Sequence, residues 1–539
     1  MAETKRETER KYEADTTTTL PDLTRVPGVA RVTDEGVMEL DAVYYDTPDL
    51  RLAADGLTLR RRTGGRDAGW HLKFPVAPGV RDEIRAPLSD TLPPDLAALL
   101  RSRVRDTEVV PVVRLRSSRD VRHLLDGDGT LLAEVSVDTV RAERKDKGAK
   151  GKRAAWTEIE VELADDDAFG GAAAGKAQAG KARAEAGGDG AGKARADGEA
   201  FLDAVGKRLL KAGIHPATSS SKLARALAET GARPTPVLAA PPGAPGTAGA
   251  AVLAYVREQI QAIVALDPAV RRDRPDAVHK MRVACRRLRS AFSTYRKVLD
   301  REVTDPLGRE LKWLAGELGV ARDAEVLAER LRARVDAVPG PLLLGPVQGR
   351  LRVWHTARDA AARRAVLDAL DSDRHLALLA ALDRLLTDPP LREAASRDAR
   401  EVLARAVRKD HDRLAARIER ALALDPGEER DRALHEARKA AKRARYAAEA
   451  ARPTLGKPAR RFAKRVKALQ TRLGDHQDSV VTREALRELA IQAHAAGESA
   501  FTWGVLFGRE AATAETRAGE LPELWARASG PRLRAALSR

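Results

Sequence analysis

The sequence predicts an α+β chain of two modules: an N-terminal antiparallel β module able to close into a barrel, then an all-α module written twice. Three observations predict it. Residues 1–169 break into short alternating runs between Gly, Pro and Asp turns, as strands do. From Ala250 onward Leu, Ala, Arg and Glu recur at helical spacing. Within that helical half, His279, Arg282, Arg286 and Arg289 are repeated as His435, Arg438, Lys442 and Arg445, both sets at offsets of 0, 3, 7 and 10. At 100° per residue those offsets fall within an arc of about 80°, one face of a helix.

Composition bounds the function classes. A chain of 539 residues has room for two to four domains. Its 43% hydrophobic content supports real cores, and 4% aromatics means they are built of Leu, Ala and Val. A net charge of +17 favours an acidic partner: nucleic acid, anionic lipid or a phosphate polymer. The single cysteine, Cys285, excludes an intramolecular disulfide and any cysteine-cluster metal site, and fits a reducing compartment. No apolar run approaches the roughly eighteen residues of a membrane span, and the start, MAETKRETERK, lacks the apolar segment of a secretory signal. A cytoplasmic protein without a membrane partner is expected.

The elements follow in order. Strands are expected at Val37–Tyr45, Leu57–Arg62, Gly69–Phe74, Leu131–Val137 and Trp156–Leu163. Residues 170–198 are Gly, Ala and Lys repeats with little to pack, a low-complexity insertion expected to be disordered. Helices are expected at Ala200–Lys211 and Ser219–Glu229, then a Pro/Gly/Ala linker over 230–249. The helical text after Ala250 should break at Pro306, Pro339, Pro389–Pro390, Pro426 and Pro453. Expected boundaries are therefore 1–229 for the β module, 230–249 for the linker and 250–539 for the helical module, with repeats near 250–390 and 391–539. The repeat extends beyond the basic stripe: LGVARDAEV carries Leu318, Gly319 and Asp323, and LGDHQDSVV carries Leu473, Gly474 and Asp478. The offsets, 435 − 279 = 156 and 473 − 318 = 155, keep the copies nearly in register, which implies two similar helical bundles.

The β module has charges at period two. Glu7, Glu9 and Lys11 form Glu-x-Glu-x-Lys; Glu158, Glu160 and Glu162 alternate with Ile159, Val161 and Leu163. Arg60 and Arg62 alternate with Leu59 on another strand, and Lys73 sits between Leu72 and Phe74. Residues two apart share one face of a strand, and an ordinary half-buried sheet would put such charges in water. Recurring acidic and basic rows in one short domain point instead to a barrel that turns them into its lumen. Carboxylates there suit hard divalent cations, Mg²⁺ or Mn²⁺, while Arg and Lys suit phosphate oxygens. A triphosphate with its metals fits both.

These motifs, with YYDTPDLRLAADGLTLRRR, GWHLKFP, the Asp138 strand, WTEIEVEL and SSSKLARAL, resemble the CYTH domain, or triphosphate tunnel metalloenzyme. The resemblance implies an eight-stranded antiparallel barrel enclosing a tunnel for triphosphate compounds. It implies metal ligation by Glu7, Glu9, Glu158, Glu160 and Glu162, with Asp138 a further acidic position. It also implies phosphate contacts from Lys11, Arg60, Arg62, Lys73 and Lys222, with Glu7, Glu9 and Lys11 central to catalysis. Arg119 is the choice for the tunnel arginine of the RLRSSRDVR strand, with Arg116 competing.

The doubled stripes lie on VHKMRVACRRLRSAFSTYR and LHEARKAAKRARYAAEA. No Glu matches the first stripe between His279 and Arg289, and the second repeats the order of chemistry with His first. These helices resemble the CHAD domain, the conserved-histidine α-helical domain. That resemblance implies two four-helix bundles whose basic faces meet around a groove, inorganic polyphosphate as partner and association with polyphosphate granules. It assigns the groove to His279, Arg282, Arg286, Arg289, His435, Arg438, Lys442 and Arg445. A nucleic-acid binder would interleave aromatics or a base-reading element; only Phe292, Tyr295 and Tyr446 lie near the stripes, so nucleic acid is disfavoured.

Three Gly-x4-Gly-Lys matches, at Gly170–Lys176, Gly175–Lys181 and Gly187–Lys193, are each followed by Ala rather than the Ser or Thr of a phosphate-binding loop, and are chance in a repetitive tract. The expected function is polyphosphate binding joined to a metal-dependent triphosphatase tunnel. Alternatives are a non-catalytic polyphosphate scaffold, or thiamine triphosphatase or nucleotide cyclase chemistry in the tunnel.

Overall fold

The computed structural model describes residues 3–65, 67–145, 151–164, 189–234 and 243–537. They form two compact units, Met1–Val237 and Leu238–Arg539.

In the first unit eight antiparallel strands close a barrel in the order β1-β5-β4-β3-β2-β6-β7-β8. They are β1 (Glu3–Ala14), β2 (Arg31–Asp46), β3 (Thr58–Thr63), β4 (Gly69–Ala77), β5 (Val80–Ala86), β6 (Val110–Leu125), β7 (Leu131–Arg144) and β8 (Arg153–Leu163). Closure leaves no edge strand.

Short helix α1 (Arg51–Ala54) and helices α2 (Pro94–Val104), α3 (Asp189–Lys211) and α4 (Lys222–Glu229) complete this unit. The barrel's apolar rows pack outward. Tyr12, Ile159 and Val161 are buried with Phe201, Leu202, Val205 and Leu209 of α3. Leu59, Leu72 and Ile84 are buried with Leu52 of α1 and Leu96 and Leu100 of α2. Burying each such side chain contributes about 1.5–3 kcal/mol, so the helices hold the wall from outside and leave the interior to charge. Helix α4 caps one end: its Leu223 and Leu227 join Ala42, Tyr44, Val113 and Trp156 in a third cluster. The Ser221 side chain caps α4 by accepting from the Ala224 N–H.

Residues 165–188, which include most of the tract 170–198 and the first two Gly-x4-Gly-Lys matches, lie outside the described residues. From Asp189 the chain is already helical, so α3 begins eleven residues before the expected Ala200.

The second unit is helical: α5 (Ala248–Arg271), α6 (Ala277–Thr294), α7 (Arg301–Asp336), α8 (Val347–Asp371), α9 (Asp373–Thr387), α10 (Ala399–Leu422), α11 (Glu428–Ala450), α12 (Arg452–Leu455), α13 (Lys457–Ala495), α14 (Phe501–Ala518), α15 (Leu521–Ser529) and α16 (Pro531–Ala536). Helices α5 to α8 recur as α10, α11, α13 and α14. The repeats share one core: Met281, Leu288 and Leu311 of the first lie in the same buried cluster as Leu414, Ala441 and Phe462 of the second. A further cluster joins Leu331 and Trp354 to Leu486 and Trp503, again across the repeats. Alanines on α11 allow this close packing.

One expected break needs correction. Pro306 lies inside α7, in its second turn, where it forgoes a single backbone hydrogen bond. The duplicated LGVARD and LGDHQD segments are interior turns of α7 and α13.

Backbone demands at two glycines give a test. Gly36 (φ +83°) has open space where a Cβ would go, whereas at Gly64 (φ +81°) a Cβ would lie 2.4 Å from the Glu39 carbonyl oxygen. Gly36→Ala should cost about 1 kcal/mol from left-handed strain alone. Gly64→Ala should cost about 3 kcal/mol, because the β2–β3 pairing must also move. Calorimetry of the two variants checks the order; equal shifts would contradict it.

Candidate functional site

The barrel lumen is a cavity of about 260 Å³ lined by charge. Register explains why. Cross-strand neighbours on the inner face are Glu9 and Glu162, Lys11 and Glu160, Lys73 and Glu83, Arg119 and Asp138, and Asp138 and Glu158. Strand alternation thus turns each period-two row inward, and three of these five pairs set acid against base.

Glu7, Glu9, Lys11, Arg60, Arg62, Lys73, Arg119, Glu160, Glu162 and Lys222 all line this cavity. Lys73 Nζ donates to Glu7 at 2.5 Å and lies 3.4 Å from Glu83. Lys11 pairs with Glu160 and lies 3.2 Å from Glu9. Arg116 is outside, 61% exposed and 3.5 Å from Asp41, while Arg119 is inside, donating to Asp138 at 2.7 and 2.8 Å and to Glu160 at 2.8 Å.

Asp138 and Glu158 are buried behind the cavity wall. With Glu160 they form a three-carboxylate cluster whose oxygens lie within 4.8 Å of one another. The first residue of the capping helix reaches into it: Lys222 Nζ lies 2.9 Å from Asp138, 2.8 Å from Glu158 and 2.6 Å from Glu160. Trp156 donates to the other Glu158 oxygen at 2.6 Å. These three carboxylates hold the Lys222 ammonium well above its ordinary range, despite burial working against its charge.

Electrostatics separates the carboxylates. Burial pushes Glu7 up to about 7, helped by Glu162 and Glu83, although Lys73 opposes it. Burial also acts to raise Glu9, but Lys11, Lys73 and Arg81 outweigh it and hold that carboxylate below its usual range. Burial lowers Arg62 to about 9, and repulsion from Arg60 and Arg119 adds to it.

Residues missed in the sequence also face the lumen. On β5, Arg81, Glu83 and Arg85 alternate with Asp82 and Ile84, the same period-two signal seen elsewhere. Glu83 is fully buried, 2.9 Å from His71 Nδ1 and 3.6 Å from Arg60. Burial drives the His71 imidazole down to about 4, so it is neutral. At the lumen end away from α4, His123 lies 3.3 Å from Glu35 and 3.5 Å from Glu134.

The donor set fits a hard divalent cation. Among the described lining residues nine are cationic and seven acidic, and Asp138, Glu158 and Glu83 lie close behind. Such a near-balanced interior cannot take up a triphosphate without added positive charge. Carboxylate oxygens are the ligands Mg²⁺ or Mn²⁺ prefer, and an ammonium already sits among three of them.

The helical unit builds a second site. Helices α6 and α11 pack together, and their stripes meet. Burial lowers Lys442 to about 7, and repulsion from Arg438 of its own helix and from Arg286 and Arg282 of the other copy adds to it. The long helices carry acids that orient part of the stripes: Asp323 binds Arg282 at 2.8 and 3.3 Å, and Asp478 lies 3.5 Å from Arg438. The duplicated glycines make room. A Cβ at Gly319 would lie 3.0 Å from Arg282, and one at Gly474 would lie 3.4 Å from Arg438.

Glu449 takes Arg445 at 3.1 Å and Arg287 at 3.0 Å. Buried Tyr446 lies under Arg445, 4.6 Å from ring to guanidinium, and is not an open stacking platform. His435 Nδ1 meets Gln477 at 2.6 Å, and His279 is exposed. Arg286 and Arg289 have no carboxylate partner among the described residues, and the attraction of Asp478 only partly offsets the burial and repulsion acting on Lys442. His476 pairs with Asp431 at 2.7 Å.

The raised Glu7 gives a pH test. Its folded-state value lies above its unfolded one, so the folded chain binds the proton more tightly. Stability is therefore lost as pH rises from about 4.5 to about 7. Glu7→Gln keeps an acceptor for Lys73 and removes that loss. The variant should be more stable than the parent at pH 8 by on the order of 1–3 kcal/mol. The difference should vanish at pH 4; a variant less stable at pH 8 would contradict the assignment.

Two family models match this chain, in order. Residues 5–185 match the CYTH domain and residues 254–487 match the CHAD domain. Two Mycobacterium tuberculosis proteins, MT2285 (strain CDC 1551) and Rv2226 (strain H37Rv), are each 38% identical over 522 residues, covering 94% of this chain and 93% of theirs. Among solved structures, PptA from Streptomyces chartreusis aligns at 21% identity and a TM-score of 0.45, covering 52% of this chain and 99% of that one. Among the described residues no helix is long and apolar enough to cross a membrane. With relatives matched along nearly their whole length and both domains found in order, the chain belongs to the family that joins a CYTH tunnel domain to a CHAD domain.

Proposed function

We propose that this protein binds inorganic polyphosphate on its helical unit and hydrolyses triphosphate or short polyphosphate in its tunnel with Mg²⁺ or Mn²⁺. One observation carries the reading: both units gather cations side by side, and among the described residues of the tunnel lining and the stripes no aromatic ring offers an open face for a base. The tunnel's lining phenol, Tyr44, is hydrogen-bonded to Arg60.

In the tunnel, Glu7, Glu9, Glu160 and Glu162, with Asp138 and Glu158 behind them, would hold the divalent metal. Bound there, it would supply positive charge to phosphate oxygens and Lewis acidity. Arg60, Arg62 and Arg119 present planar forks to nonbridging oxygens, while Lys73 and Lys222 act as point charges. Water adds to the terminal phosphorus and the bridging P–O bond breaks. A Glu7 oxygen takes the water's proton. Lys11 Nζ stabilises charge developing on the departing phosphate oxygen.

The Lys222 ammonium among Asp138, Glu158 and Glu160 favours one competing reading, a tunnel that holds phosphate chain ends without cleaving them. Phosphate release by the full chain decides. Tripolyphosphate with Mg²⁺ or Mn²⁺ should turn over, and Glu9→Gln should lower kcat on the order of 100-fold or more. No release from triphosphate, polyphosphate or nucleoside triphosphates with any divalent metal would leave the binding scaffold.

The groove gives a separate test. A polyanion favours protonated Lys442, so binding should weaken as pH rises above about 7, by up to roughly tenfold per unit. Lys442→Gln should bind more weakly at pH 6 and lose that pH dependence. Arg286→Ala should weaken binding at every pH and make its salt dependence shallower. Tighter binding to duplex DNA than to polyphosphate at matched salt would reject the polyphosphate assignment. Association with polyphosphate granules in the cytoplasm follows from the same reading.

A further inference from the structure

The first half of α13 carries charge that the groove does not account for. From Arg452 to Gly474 the chain has eight cations and no acid: Arg452, Lys457, Arg460, Arg461, Lys464, Arg465, Lys467 and Arg472. The corresponding stretch of the first repeat, 155 positions earlier, is Lys297 to Gly319, with four cations and five acids. Near the groove the copies agree: Lys467 matches Lys312, and Lys464 matches Arg309. Farther out they oppose each other: Arg460 matches Asp305, and Lys457 matches Glu302. The first repeat uses its acids locally, Asp305 with Arg301 at 2.7 Å and Glu310 with Arg374 at 2.6 Å. Lys457, Arg460, Lys464 and Lys467 are exposed and have no ion pair among the described residues.

The placement is costly for α13 itself. Lys457 opens the helix and Arg460 lies in its first turn, where the macrodipole disfavours cations by about 0.3–1 kcal/mol each. Repulsion between cations three and four residues apart adds a few tenths of a kcal/mol per pair. At 100° per residue, Lys457, Arg460, Lys464 and Lys467 share an arc of about 100° with Gly474 and Asp478. Asp478 and Gln477 are the residues that meet Arg438 and His435. Because α11 and α13 run antiparallel, going from Arg438 to Arg445 on α11 corresponds to going from Asp478 back toward Lys467 on α13. The unpaired face is therefore continuous with the groove.

We infer that this face is a one-sided exit track, along which a polyphosphate chain too long for the groove continues over the second repeat, past Lys467, Lys464, Arg460 and Lys457, and not over the first. The track extends about 15 Å along the helix from Lys467 to Lys457. This inference rests on the polyphosphate reading of the groove.

The test uses the full chain and polyphosphates of increasing length, with the triple variant Lys457→Gln, Arg460→Gln, Lys464→Gln. The parent's affinity should keep rising after the groove is filled, and the variant's should level off at a shorter length. For long chains the variant's slope of log K against log salt should become shallower by about 2, from three lost phosphate contacts. A thermal midpoint at or above the parent's identifies the loss as local, because the parent's cations destabilise the start of α13. A parent that binds long chains while the variant keeps both slope and length dependence overturns the track alone. A parent that binds no polyphosphate overturns the groove reading and the track together.

Discussion

The first unit depends on one constraint: charge placed inside a barrel must be answered by charge on the next strand. A buried carboxylate or ammonium alone would cost several kcal/mol, so the register has to set Lys73 beside Glu83, Lys11 beside Glu160 and Arg119 beside Asp138. An apolar lumen could not take up the phosphate proposed for it, and a lumen of one sign could not fold. Near-neutral interleaving satisfies both demands. It also moves the hydrophobic work outside, where α2 and α3 cover the wall.

The helical unit meets the same constraint differently. Its cations lie on the surface of a shared alanine-rich core, where water can screen them, so only part of each stripe needs an acid. Asp323 and Asp478 fix Arg282 and Arg438 in place, and a glycine one turn earlier lets each guanidinium lie across the partner helix. Arg286 and Lys442 are left to repel one another across the junction of the two copies. Burial, with that repulsion added, holds Lys442 near neutrality, and an anion on the stripes would favour its proton.

The barrel was legible in the sequence because alternation has a period of two, and any same-face charge row shows itself without knowledge of its neighbours. The Glu7, Arg60 and Glu160 rows were read this way. The Arg81, Glu83 and Arg85 row has the same period but mixes signs within seven residues, so it looks like a solvated edge until Lys73 and His71 are seen beside it. The capping helix was legible as Ser219–Glu229, yet nothing local places Lys222 among Asp138, Glu158 and Glu160, because that contact joins residues far apart in the chain. Pro306 was misread for a related reason: a proline's penalty is a local quantity, and packing of a 36-residue helix outweighs it.

Duplication makes divergence readable. Two copies of one helix pair start with equal charge, so positions where both keep a cation, such as Lys467 and Lys312, mark what the shared groove requires of each. Positions of opposite sign, Arg460 against Asp305 and Lys457 against Glu302, mark what only one copy does. Helix stability alone would favour the acidic solution at the start of a helix, and the first repeat has it. The second repeat keeps cations there against both the dipole and their mutual repulsion, on the face that leads back to Arg438 and His435.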